Sequence, residues 1–330
     1  MEYVDDRFFA LTPERVLSAI ELDGRRATGY ALALNSLENR VYELELEDES
    51  RVVLKFYRPH RWSREAILDE HRFLRELADD ELPVVPPMEL GGSTLRRLGD
   101  EEIYYAAFPR VRGRVPDELA DAQLAQLGRL LARLHNVGGR AVALHRPELT
   151  PATYGTAAID LLEEGPWIPY ELARPFIAAA RELVARCAEV WGRVAPVKIR
   201  LQGDCHLGNL LWGSAGPFLL DFDDFLHGPA VQDLWLLLPG RDAEAMRQLE
   251  SVVTGYEALR DFDRRTLALI EPLRALRILR YSAWIAQRWS DPAFVRAFGD
   301  FTEHSYWQRE LAALQEQLEV IAALPVRGFN

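Results

Sequence analysis

In QGDCHLGNLLW (residues 202–212), Asp204 and Asn209 are spaced D-x-x-x-x-N between glycines, and a second carboxylate, Asp221, opens DFDDF (221–225) a short way on. All three offer hard oxygen donors. Magnesium binds such donors and usually takes only one or two carboxylates. Phosphoryl transfer uses this combination, because it consists mostly of positioning and charge neutralisation. One carboxylate takes or orients the proton of the attacking hydroxyl, and oxygen ligands hold magnesium on the phosphates. Asp204 suits the base, and Asn209 and Asp221 suit the metal. Alone, the spacing is a weak signal, since Asp and Asn beside glycine also form turns.

A site that handles phosphate also needs a fixed cation. Lys55 is one of two lysines, with Lys198, among 39 basic residues, and it lies inside RVVLKFY (51–57). In a chain that otherwise uses arginine, this suggests a position needing a compact ammonium rather than a planar fork. The plain alternative is an edge lysine. Glu70 falls on the apolar stripe of SREAILDEHRFLREL (63–77) with Ile67, Leu74 and Leu77. A carboxylate facing a core is costly unless a cation meets it; otherwise Glu70 is a solvated residue at the stripe's edge. A strand lysine paired with a helix glutamate is a part of kinase active sites, so Lys55 and Glu70 explain each other. The D-x-x-x-x-N spacing is that of a kinase catalytic loop, and Asp221 stands where a D-F-G aspartate would. Lys198 has no partner legible in the sequence.

The elements that must carry these residues differ between the two ends of the chain. YELELE (42–47) alternates apolar and acidic residues and RVVLKFY is rich in β-branched and aromatic ones, so both predict strands, joined by a hairpin turn at EDES. EEIYYAAF (101–108) predicts a further strand after the proline- and glycine-containing LPVVPPMELGG, and SREAILDEHRFLREL predicts a helix. Beyond about residue 112 come long helical periodicities: 122–135, 173–191, 244–260, 265–289 and 306–324. Between them, PVKIRLQGDCHLGNLLWGSAGPFLLDFDDF (196–225) predicts loop, short strand, turn, short strand and loop, placing Asp204, Asn209 and Asp221 at the ends of a hairpin. The fold class is therefore α+β and bilobal, with residues 1–110 as a mixed lobe with an antiparallel sheet and 111–330 as a larger, mainly helical lobe.

LNSLENRVYEL (34–44), VLKFYRPHRWSREAILDEHRFLREL (53–77), QGDCHLGNLLW and GPAVQDLW (228–235) together resemble the protein-kinase-like phosphotransferases of the aminoglycoside phosphotransferase and choline kinase type. Within them, the chain resembles the stress response kinase A family of bacterial serine/threonine protein kinases. The resemblance spans nearly the whole chain. It implies a two-lobed kinase-like fold, the cofactors ATP and Mg2+, and a protein substrate with a serine or threonine acceptor. Small amino alcohols or aminoglycosides are the alternative acceptors, and a nucleotide-binding pseudokinase module is a second alternative. By position it implies Asp204 as base, Asn209 and Asp221 as magnesium ligands, and Lys55 on the ATP phosphates with Glu70 as its ion-pair partner. It also implies Ser36 approaching ATP from the phosphate-covering loop, Phe108 to Val111 as the hinge beside adenine, and Asp233 bracing the catalytic loop.

Some positions depart from the protein-kinase pattern. LNSLENRV has no glycine where a glycine-rich loop would cover the phosphates, so Ser36 is either a phosphate contact or a turn former. His206 either contacts phosphate or packs against its loop. Asp223 and Asp224 supply either a second metal ligand or solvated or capping aspartates. DFDDFLHGPAVQDLWLLLPG (221–240) contains no Ser, Thr or Tyr, so activity is expected without phosphorylation there.

The net charge of −12 gives no overall basic surface to neutralise a polyphosphate backbone, so nucleic acid is not expected as the main partner, though local basic clusters stay open. No apolar run reaches membrane-spanning length and the amino terminus lacks a signal pattern, which makes the cytoplasm the default location. The two cysteines, Cys187 and Cys205, form no metal or disulfide spacing, and no long heptad suggests anything but a monomer.

Overall fold

A computed structural model describes residues 7–21, 24–99, 102–214, 216–237 and 240–324. The chain forms two compact units. One comprises the residues up to Ala120 together with Asn136–Arg146 and Asp204–Phe225; the other comprises Asp121–His135, Pro147–Gly203 and the residues from Leu226 onward.

In the first unit, α1 (Pro13–Glu21) precedes β1 (Ala27–Leu34), β2 (Arg40–Leu46) and β3 (Arg51–Phe56); α2 (Arg64–Asp79) follows, then β4 (Arg96–Arg97) and β5 (Tyr104–Pro109). The strands make one antiparallel sheet in the order β1-β2-β3-β5-β4. The alternation in β2 sends Tyr42, Leu44 and Leu46 into a core with Val52, Leu54, Phe56, Tyr105 and Ala107. Lys55 therefore lies on the opposite face. There Tyr57, Ile67, Leu95 and Ala106 form a second apolar cluster. The EDES turn closes with Glu49 at φ +64° and the Asp48 carboxylate accepting the Ser50 N–H at 3.0 Å. Helix α2 starts where Ser63 caps it, its hydroxyl accepting the Ala66 N–H at 3.1 Å.

The same unit holds the hairpin β7 (Leu210–Gly213) and β8 (Gly216–Leu219), in register from Leu210↔Leu219 to Gly213↔Gly216. It is anchored by an Arg114–Trp212 bridge and by the Leu219 N–H donating to the Pro83 carbonyl at 3.0 Å.

The second unit is mainly helical: α3 (Asp121–Gly138), α4 (Ala157–Glu164), α5 (Tyr170–Val194), α6 (Val231–Trp235), α7 (Ala243–Glu257), α8 (Ile270–Gln287), α9 (Pro292–Ala297) and α10 (His304–Ala322). Two short strands, β6 (Ile199–Leu201) and β9 (Leu226–Gly228), pair antiparallel. The α+β, bilobal expectation holds. The periodic run 265–289 is not one helix, however: a 3-10 turn at Arg264–Leu269 comes first, begun by the Asp263 carboxylate accepting the Arg265 N–H at 3.1 Å. Pro272 then sits in the first turn of α8, where its missing N–H costs nothing.

Helices α3 and α7 touch backbone to backbone. A Cβ on Gly128 would lie 2.0 Å from the Val252 carbonyl oxygen, and one on Gly255 would lie 2.1 Å from that of Ala125. Among the described residues, no helix is long and apolar enough to cross a membrane.

Candidate active site

Lys55 leaves β3 as a buried ammonium ringed by carboxylates: Asp223 Oδ1 at 3.0 Å, Glu70 Oε1 at 3.3 Å and Asp221 Oδ1 at 3.3 Å from Nζ. Helical spacing in α2 does turn Glu70 inward, and its side chain is 1% exposed. Burial alone would lower the Lys55 pKa, but Asp223, Glu70 and Asp221 raise it well above the ordinary lysine value. Burial lifts Glu70 to about 6 against the pull of Lys55. Asp223 feels the same burial, yet Arg61, Lys55 and Arg146 hold it well below the usual carboxylate range.

The hairpin brings the other chemical residues together. The Asn209 carbonyl accepts the Leu220 N–H at 2.9 Å, so Asn209 sits across the open end of the hairpin from the residue preceding Asp221. The Asn209 side chain donates through Nδ2 to the Asp204 carbonyl at 3.0 Å, fixing the carboxamide. Asp221 has φ +49°, in the left-handed region that costs a non-glycine residue on the order of 1 kcal/mol or more. Its carboxylate accepts the Asp223 N–H at 3.3 Å and is about half exposed.

His206 is placed by its own loop. Its Nδ1 accepts the Gly208 N–H at 3.0 Å, which leaves the proton on Nε2, 3.3 Å from Asp204 Oδ2. The imidazole thus faces the Asp204 carboxylate through Nε2.

Gln202 and Gly203, which precede Asp204 in the chain, are held in the helical unit. Asp233 accepts the Gln202 N–H at 2.9 Å, the Gly203 N–H at 2.8 Å and His135 Nε2–H at 3.0 Å. Gln232 Nε2 donates to the Gly203 carbonyl at 2.8 Å. This buried network extends to Tyr256, whose hydroxyl lies 2.9 Å from His135 Nδ1.

Ser36 makes a turn: its hydroxyl accepts the Asn39 N–H at 3.3 Å. Phe108 is the second-last residue of β5, its ring edge-on to that of His71 with centroids 6.3 Å apart, and Val111 lies in the irregular stretch before the Arg114–Trp212 bridge. The structure therefore gathers Lys55, Glu70 and Asp221 into direct contact and ties Asp204 to Asn209. Lys198 does have a partner, Glu148. Cys187 and Cys205 are buried and are not joined in a disulfide.

Three residues absent from the sequence reading complete the site. Arg61 pairs with Asp223 and, at 2.5 Å, with Asp224. The buried Arg146 donates to the carbonyls of Phe225 at 3.0 Å, Phe222 at 3.1 Å and Asp223 at 2.6 Å. Asn39 donates to Asp223 at 3.1 Å. Asp223 is thus neither solvated nor a cap.

Among the described residues, no three His, Cys, Asp or Glu side chains form a metal cage. Asp221 with the Asn209 carboxamide is a sparse, hard-oxygen donor set, which fits an ion that keeps most of its positions for water and phosphate, as magnesium does.

Residues 31–270 match the family described as "Phosphotransferase enzyme family". The chain is 41% identical over 320 residues to stress response kinase A of Escherichia coli, covering 97% of this chain and 96% of that one. It is 40% identical over the same length to serine/threonine protein kinase RdoA of Salmonella typhimurium, with the same coverage. Among solved structures, amicoumacin kinase hAmiN superposes with TM-score 0.74 at 21% identity, covering 96% of this chain and 95% of that one. A microcompartment-associated aminopropanol kinase gives TM-score 0.71 at 21% identity, covering 93% and 98%.

Proposed function

We propose, from the premise that the chain belongs to the phosphotransferase enzyme family and carries out ATP-dependent phosphoryl transfer, that it is a Mg2+-dependent serine/threonine protein kinase of a bacterial stress response. Family membership implies use of a nucleotide and a divalent metal. The observation that carries the protein acceptor is the 41% identity with stress response kinase A across nearly the full length of both chains. In this reading residues 1–110 bind the nucleotide and 111–330 supply the catalytic loops and the acceptor site.

Lys55 contacts the ATP phosphates and is kept in line by Glu70 at 3.3 Å. Asn209 and Asp221 hold magnesium, which when bound neutralises charge on the phosphates. Asp204 takes the proton of the acceptor hydroxyl, and His206 Nε2–H, 3.3 Å from Asp204 Oδ2, orients that carboxylate. Ser36 approaches ATP from the phosphate-covering loop, and Phe108 to Val111 form the hinge beside adenine.

The names of the similar solved structures favour a second reading, a kinase of small amino-bearing molecules. The test is transfer from γ-labelled ATP with Mg2+, to a generic basic protein and separately to an amine and amino-alcohol panel. Wild type should label protein, and Asp204→Ala should lose about 10²- to 10⁴-fold in rate. Label confined to small molecules would replace the protein-kinase reading, and transfer indifferent to Asp204→Ala would remove the assigned base.

A further inference from the structure

The segment KFYRPHRW (55–62) contributes more than its lysine. The Arg58 guanidinium donates to the carbonyls of Glu38 at 2.9 Å and Leu37 at 3.0 Å, so it straps the loop that contains Ser36. Arg61 reaches the other way, to the carboxylates of Asp223 and Asp224. Asn39 joins the two: its side-chain oxygen accepts the Arg58 N–H at 3.1 Å, and its Nδ2 donates to Asp223 Oδ2 at 3.1 Å. Asp223 sends its other oxygen to Lys55 at 3.0 Å and its N–H to the Asp221 carboxylate at 3.3 Å. Arg146 grips the loop from beneath through three carbonyls, between the faces of Trp62 and Phe225 at 4.2 and 4.3 Å.

One buried carboxylate therefore meets the loop 36–39, the segment 55–62 and the loop of Asp221. A protein kinase has glycine in the corresponding third place of D-F-G, where no side chain can tie the loop down. We propose that Arg61 and Asn39 are positioning residues that act through Asp223, holding Asp221 in its left-handed, metal-receiving conformation before any nucleotide arrives.

This rests on Asp221 being a metal ligand, as proposed above. It accounts for the strained backbone at Asp221: charge-assisted hydrogen bonds on either side offset the strain. It also accounts for a segment without Ser, Thr or Tyr, since a loop already pinned has no need of an added phosphate to order it.

The test is calorimetric binding of a non-hydrolysable ATP analogue with and without MgCl2, in the full chain. In wild type, Mg2+ should increase affinity. Arg61→Ala and Asn39→Ala should each cut that Mg2+-dependent gain by about 10- to 100-fold, the usual cost of losing an outer support of a metal ligand, with metal-free affinity little changed. Because both act through Asp223, the double variant should lose less than the sum of the two. Arg61→Lys, which keeps a cation but cannot fork to two carboxylates, should recover part of the gain. If Arg61→Ala does not fold, Arg61→Lys and Asn39→Ala carry the comparison. An unchanged Mg2+ gain, or strictly additive losses, would overturn the proposal. Binding is read without turnover, so a wild type that binds Mg2+ and nucleotide but transfers no phosphate would count against the function proposed above and not against this coupling.

Discussion

Two buried aspartates, Asp223 and Asp233, are 2% and 0% exposed and are stabilised by opposite means. Asp233 in the helical unit is surrounded by dipoles: two backbone N–H groups and the Nε2–H of His135. Asp223 in the sheet-bearing unit is surrounded by charged groups, Lys55 and Arg61, with Asn39 as its neutral donor. Backbone N–H groups are fixed by the fold, and no ligand can draw them away. Side-chain cations can be shared with an incoming phosphate. The first arrangement suits a brace and the second suits a site.

The largest expected effect tests the brace. Asp233→Ala leaves three buried donors unmatched, at about 1–3 kcal/mol each, so urea unfolding should show a loss of about 3 kcal/mol or more. Asp223→Asn keeps the shape and removes the charge. It should fold, yet lower Mg2+-supported turnover about 10- to 100-fold. If Asp223→Asn cost more stability than Asp233→Ala and spared turnover, the contrast would be reversed.

A pH series sharpens the same contrast. Glu70 is lifted to about 6 from an ordinary 4.5, so the fold favours its protonated form. Its contribution to stability is complete below the ordinary carboxylate value and is lost as pH rises through about 6. Asp223, depressed, contributes above that ordinary value and loses its contribution as pH falls through its lowered pKa. Glu70→Gln should therefore gain stability relative to wild type between about pH 4.5 and 6. In wild type the charged Lys55–Glu70 pair forms only above about 6, so kcat/KM for ATP should fall below that pH. Glu70→Gln should lose that limb.

The smallest effect belongs to the other lysine. Lys198 pairs with Glu148 at a partly exposed position, where an ion pair contributes about 0–1 kcal/mol. Lys198→Ala should leave turnover unchanged and shift unfolding by no more than that.

Features signalled by local pattern were legible in the sequence. Glu70 betrayed itself by lying on an apolar stripe, and Lys55 by being a rare lysine in a strand. The hairpin joining Asn209 to Asp221 followed from short apolar runs between turn formers. β1 was not legible, because six of its eight residues are exposed and they do not alternate with buried ones. Arg146 was not legible either: its partners are carbonyls 76 to 79 positions away, and a buried arginine among many others carries no local mark. Asn39 carried no local mark, because its bond to Asp223 spans 184 positions. The helix at 157–164 is entered through a reciprocal Thr150–Thr153 cap and a π turn, which blurs the helical period at its start.

The backbone contact of α3 with α7 at Gly128 and Gly255 has a consequence for how this chain can vary. Each glycine is closed to a methyl group by a carbonyl of the opposite helix. Enlarging either one pushes the same two helices apart, and these helices carry His135 and Tyr256, which must stay 2.9 Å from each other. The two positions therefore share one tolerance. A lineage cannot relax one glycine first and repair the other afterwards, and the spacing of that helix pair should drift more slowly than the surfaces around it.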